Sequence, residues 1–164
     1  MSILRFVPLL FATVLAAVCL ACSSTPPGHD VESGDAEAIE TIRTGLQTMY
    51  TWRPGVDKDR QDAYRRARPW LTDELASAPA NTTARGPGLQ WDEWARQGYT
   101  VDATVLVMGT EHGADTKERI DRLVLITQNV KAPDGAVKET IDLTARVYVD
   151  KTPVGWRIDS IEFS

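Results

Sequence analysis

The spacing of hydrophobic positions changes several times along the chain, and each change marks an element. Phe6 to Ala21 (FVPLLFATVLAAVCLA) is an apolar run broken only by Pro8 and preceded by Arg5. It falls short of the ~20 apolar residues a spanning helix needs, so residues 1–21 read as a signal peptide. From Ser23 to Asp35 almost no large apolar residue occurs, and residues 22–35 read as a flexible tether. Asp35 then opens a helical pattern. Ala38, Ile39, Ile42, Leu46 and Met49 recur at three- and four-residue spacing, Tyr50 and Trp52 extend the pattern, and Arg53-Pro54-Gly55 stops it. A second helix starts between Asp57 and Asp59, with aspartate as cap, and runs through DRQDAYRRAR until Pro69 interrupts it. Trp70, Leu71 and Leu75 belong to a third, short helix with Thr72, Asp73 and Glu74 in its first turn, ending near Ala78-Pro79. Pro79 to Gly88 is rich in turn residues and reads as a loop. Leu89 to Arg96, with Trp91 and Trp94 three apart, predicts a helical turn.

From Thr100 the period becomes two. Val101, Ala103, Val105 and Val107 alternate with polar neighbours, as a half-buried strand requires. A turn around Glu111 to Asp115 leads to a strand over Ile120–Val130, and Pro133-Asp134-Gly135 turns the chain again. Val137, Glu139, Ile141, Leu143, Ala145, Val147 and Val149 mark a long third strand, and Trp156 to Phe163 a fourth after Thr152-Pro153-Val154-Gly155. Helices followed by an antiparallel meander predict an α+β domain over residues 36–164, its N-terminal helices packed on a curved four-stranded sheet that forms a half-open cone.

Composition narrows the chemistry. The 164 residues are 43% hydrophobic and 25% charged, as in a globular domain. The net charge of −5 disfavours nucleic acid, and no motif that reads RNA or DNA is present. Both cysteines, Cys19 and Cys22, lie at the end of the apolar run. The domain therefore has no disulfide, no thiolate nucleophile and no thiolate metal site. Cys19-Leu20-Ala21-Cys22 resembles a bacterial lipobox, with Cys19 standing where a Leu or Val is usual. In that reading the Cys22 thiol takes a diacylglyceryl group and becomes the new N-terminus. Two buried acyl chains at ~0.8 kcal/mol per methylene then hold the protein at the outer face of the cell membrane. The alternatives are a secreted protein cleaved nearby and an uncleaved anchor.

No catalytic or metal motif stands out. His29 falls in the tether and His112 in a hairpin turn, neither near a metal-pairing partner, and no cofactor or metal is expected. Asn81-Thr82-Thr83 matches a glycosylation sequon, which carries little weight in a bacterial protein. Asp102, Asp121, Asp142 and Tyr148 are strand residues on the polar phase, expected to face solvent. Trp70, Trp91 and Trp156 sit at element ends, where a large ring seals helices against a sheet. Trp52 and Trp94 are candidates to rim the cone mouth and line an apolar ligand. Arg60, Arg65, Arg66 and Arg68 make one helix locally basic, either as a solvated face paired with Asp59 and Asp62 or as a docking patch.

The helix end Tyr50-Thr51-Trp52, the segment ARPWLTDEL (67–75), the Trp91–Trp94 segment and the terminal GWRIDSI (155–161) together resemble the NTF2-like (cystatin-like α+β cone) superfamily. More narrowly, they resemble the small actinobacterial envelope proteins called Mce-associated. The resemblance spans roughly residues 35–164 and implies an accessory role beside envelope transport or secretion machinery. Some enzymes of the superfamily use an aspartate or tyrosine inside the cone, and many of its members pair through the open sheet face. The leading expectation is a non-catalytic envelope lipoprotein that docks a protein partner. A module holding a lipid or other apolar molecule in the cone is the alternative, and a small isomerase or hydrolase stands behind both.

Overall fold

A computed structural model of the chain describes residues 29–78, 90–108 and 115–164, with the backbone alone for 29–34. The lipobox, the sequon and His112 lie outside these residues, as does the side chain of His29. The helices are α1 (His29–Tyr50), α2 (Arg60–Ala67), α3 (Asp73–Ser77) and α4 (Gln90–Gln97), with a short 3-10 turn over Arg68–Trp70. They precede strands β1 (Thr100–Met108), β2 (Arg119–Lys131), β3 (Val137–Thr152) and β4 (Gly155–Phe163). Among the described residues no helix is long and apolar enough to cross a membrane.

Helix α1 carries the apolar stripe expected of it: Ala38, Ile42 and Leu46 are fully buried, and Met49 and Tyr50 nearly so. Its start differs from expectation, at His29 rather than Asp35. Composition hid this, because residues 29–35 offer no apolar face. Once a packed helix is nucleated, propagation needs no such face, and Gly34 adds a cost of only about 1 kcal/mol. At α2 the Asp59 carboxylate accepts the Gln61 amide at 2.7 Å. Thr72 caps α3 through the Leu75 amide at 3.3 Å. Pro69 does not end this region abruptly, for it sits in the first turn of the 3-10 segment, where its missing N–H is no loss. The buried Tyr64 ring ties α2 to α3, its hydroxyl donating to the Leu75 carbonyl.

The sheet is an antiparallel meander in the order β1-β2-β3-β4 and is not closed. Register places Val101, Val130 and Glu139 in one row and Val107, Val124, Ala145 and Phe163 in another. Bulges at Val130/Lys131 and Tyr148/Val149 bend the long β3. The helices cover one sheet face, where Val101, Ala103, Ile120, Val124, Ile126, Val130, Ala145, Val147, Val149, Trp156 and Ile158 are buried. Asp102, Asp121, Asp142 and Tyr148 alternate with that set and lie on the opposite face, none of them buried.

Two polar residues break the apolar phase of β2, and both hold the layers together. Gln128 is 1% exposed and donates its amide to the Tyr50 carbonyl at 2.6 Å, satisfying a group left over at the end of α1. Arg122, also buried, grips Asp115 with both guanidinium nitrogens, at 2.8 and 2.9 Å, and lies 3.9 Å from Asp35 of α1. Gly45 is where α1 comes closest to its neighbours. A Cβ there would stand 2.7 Å from Ile158 Cδ1 and 2.9 Å from Trp70 Cβ. Trp70 and β4 therefore pack directly on the α1 backbone. Gly45→Ala is expected to lower stability despite the better helix former, because overpacking costs about 1–3 kcal/mol against a propensity gain of about 1. Urea unfolding of the two proteins checks the sign.

Candidate functional site

The clearest concavity opens on the outer side of α1, where the helix ends and the chain turns toward α2. Thr44, Gln47, Thr48 and Thr51 recur at helical spacing along one wall, and Arg53, Val56, Asp57 and Arg66 form the other. The cleft has a volume of about 580 Å³. Seven of its eight lining residues are polar or charged, and their hydroxyl, amide, carboxylate and guanidinium groups sit among aliphatic stems.

Asp57 organises the far wall. Its carboxylate accepts the Arg53 amide at 2.9 Å and both Arg66 nitrogens, at 2.6 and 3.1 Å. The Asp57 and Val56 amides return to the Arg53 carbonyl, so residues 53–57 close into a compact turn. Arg66 also donates to the Thr51 carbonyl at 3.2 Å, which fastens α2 to the end of α1. The Asp57 side chain is only 6% exposed. Burial pushes its carboxyl up, but the hydrogen bonds from Arg66 and the Arg53 amide, with the charges of both arginines, outweigh burial and hold it below the usual carboxylate range. Asp57 is therefore ionised and fully engaged, a poor proton donor or acceptor at neutral pH. Arg53 reaches across to Asp102 at 4.0 Å, and Asp102 is paired to Lys131 at 3.0 Å.

The predicted arginine patch is divided by these contacts. Arg66 lines the cleft as Asp57's partner, while Arg65 pairs with Asp62 on its own helix. Arg60 opens α2, and Arg68 is exposed in the 3-10 turn. Two of the four arginines are thus matched by acidic neighbours.

Trp52 and Trp94 are not where a rim reading puts them. They are 4% and 5% exposed and belong to the core, and neither lines the cleft. The reason is backbone pairing. Trp52 exchanges hydrogen bonds with Val101 of β1, at 2.8 and 3.0 Å, which draws its ring inward between Tyr50 and Trp91. Its indole N–H donates to the Met49 carbonyl at 3.0 Å. Trp156 is buried as a seal, Trp91 packs against the core, and Trp70 is half-buried over Gly45. Sequence reasoning read Asp57 only as a candidate cap for α2 and missed its pairing with Arg66. It also missed Gln128 and Arg122, which were legible as polar residues on the apolar phase of β2. Among the described residues no group of three His, Cys, Asp or Glu side chains converges as metal ligands would.

Comparison with solved structures places the architecture. A periplasmic fragment of TraM superposes with a TM-score of 0.53 at 11% identity, covering 79% of this chain and 96% of the fragment. A protein described as NTF2-like and involved in plasmid conjugation superposes with a TM-score of 0.50 at 13% identity, over 79% of this chain and 48% of the other. The domain has the NTF2-like fold. The chain spans about half the length of that second structure. No family model matches the sequence, and no curated protein matches it. Within the NTF2-like domain the cleft lies on the outer side of α1 and reaches the β1 edge at Thr51 and Arg53, while the buried core lies between the helices and the sheet.

Asp57→Asn tests the electrostatics. Its lowered pKa in the folded state means that ionised Asp57 stabilises the fold above the unfolded-state pKa, and the contribution is lost as pH falls through the folded value. The variant is expected to be less stable by about 1–3 kcal/mol at neutral pH. That difference should shrink below about pH 4, where an ordinary aspartate protonates. Urea titrations across pH measure it.

Proposed function

We propose that the protein is a non-catalytic accessory module of the cell envelope. It is held outside the membrane by lipidated Cys22, and it docks a protein partner through the cleft between α1 and α2. The observation that carries this reading is the pre-formed set of hydrogen-bonding side chains along that cleft. Hydroxyls and amides are held on a rigid helix opposite an arginine already fixed by Asp57, an arrangement suited to hydrogen-bonding an extended polypeptide. Protein recognition uses such fixed polar groups to set register. A lipid would instead need a continuous apolar lining, and Val56 alone supplies a large aliphatic group in this cleft. Two fold neighbours support the setting, one described as periplasmic and the other as involved in plasmid conjugation. The Mce-associated resemblance points to the same kind of assembly at a transport or secretion machine.

Placing a photoreactive side chain at Gln47, which is exposed in the cleft, is expected to capture an envelope protein in intact cells. Gln47→Trp, filling the cleft, should abolish that capture in a competing co-purification while leaving the melting temperature unchanged. Stoichiometric lipid with no protein partner would overturn the reading in favour of a carrier. The anchor is tested separately. Cells fed an alkynyl palmitate should label the wild-type chain and leave Cys22→Ser unlabelled.

A further inference from the structure

The two outer strands of the sheet are treated very differently by the rest of the molecule. Outside β4, Leu71 forms a bridge with Ile158 and the Thr72 amide donates to the Ile158 carbonyl at 2.9 Å. That strand also carries Arg157, Asp159 and Glu162, charges of the kind that discourage pairing with another strand. Among the described residues, strand β1 is covered only at its start. Val101 exchanges both backbone bonds with Trp52, and the Ala103 amide donates to Thr51 Oγ1 at 3.2 Å.

Alternation along β1 sets the direction of every later backbone group. Because Val101 points its backbone groups away from β2, so do Ala103, Val105 and Val107. No backbone group among the described residues pairs with Val105 or Val107 on that outer side. The stretch Ala103–Met108 (ATVLVM) contains no charge, no proline and no glycine. It has none of the devices that protect exposed edges, and it is rich in strand-forming residues. Leu106, in its middle, is 60% exposed. Beside it on the uncovered sheet face lie Leu125, opposite Leu106, and Leu123, opposite Met108.

We propose that this edge pairs with the same edge of a second copy, antiparallel about a two-fold axis at Leu106, joining two sheets into one of eight strands. A bare backbone edge is a ready template for another strand, and this one is complementary to itself. With Leu106 opposite its own counterpart, Val105 faces Val107 of the partner and Val107 faces Val105. Each of these pairs exchanges N–H···O bonds in both directions. Thr104 then falls opposite Met108, so no charge meets a like charge. That matters for a chain of net charge −5, whose copies repel elsewhere. The two Leu106 side chains form a close non-hydrogen-bonded pair, with Cα atoms about 4.5 Å apart. Their contact makes the apolar corners of the two copies continuous. This pairing runs through the strand edge rather than across the sheet face.

The test uses the full chain in mild detergent. Wild type is expected to sediment as a dimer at micromolar concentration and Leu106→Lys as a monomer. The two should share circular dichroism and melting temperature, since this exposed position contributes little to the core. A second measurement does not depend on that variant. With Cys19 and Cys22 changed to Ser, Leu106→Cys should form an intermolecular disulfide under mild oxidation, and Thr104→Cys should not. A monomeric wild type would overturn the proposal, as would a dimer that survives Leu106→Lys or equal crosslinking at both positions. If Leu106→Lys abolished only the binding of a monomeric chain to phosphatidylglycerol vesicles, the apolar corner would be a lipid contact instead.

Discussion

The structure depends on how the C-terminal end of α1 is satisfied. A helix leaves its last carbonyls without intrahelical partners, and burying them unmet is costly. Here three side chains take them up, two of them from other elements. The Trp52 indole binds the Met49 carbonyl, Gln128 of β2 binds the Tyr50 carbonyl, and Arg66 of α2 binds the Thr51 carbonyl just beyond. The next residue, Trp52, enters β-pairing with Val101. Within four residues the chain passes from helix to strand edge, and the position of α1 against the sheet follows from that junction.

The cleft is a product of the same junction. Arg66 can reach the Thr51 carbonyl only because Asp57 orients its guanidinium, and Asp57 is placed by the turn over residues 53–57. A half-buried, hydrogen-bonded pair of this kind, with Asp57 enclosed and Arg66 exposed, adds modest net stability but specifies one geometry. Arg122 does similar work at the other end of α1, joining Asp35 and Asp115 to the sheet. Both ends of the long helix are thereby tied by arginines to acidic residues of separate segments. The result is a rigid wall of threonine and glutamine side chains on the outer side of α1.

These ties also account for the modest cationic character of α2. Read as a string, Arg60, Arg65, Arg66 and Arg68 form a basic run in an acidic protein. In three dimensions Arg65 and Arg66 each meet an aspartate, and the second of these comes from a turn nine residues away. What the fold leaves for recognition is shape and hydrogen-bonding capacity rather than a strong field.

Much of the architecture was legible in the amino-acid order, because periodicity is a local property. The stripe Ala38, Ile42, Leu46 and Met49, the alternation of β1 to β4, an aspartate cap before α2 and the turns at Gly135 and Gly155 each depend on residues a few positions apart. The open α+β arrangement follows from their order. The start of α1 escaped because residues 29–35 are helical without an apolar face. The places of Trp52 and Trp94 escaped because an aromatic residue at an element end can face inward or outward, and Trp52 was drawn in by pairing with Val101. Tertiary structure alone decided the partners of Asp57, Gln128 and Arg122, and among the described residues it alone left the second half of β1 without an outer backbone partner. Those outcomes rest on contacts between residues tens of positions apart, which no local pattern encodes.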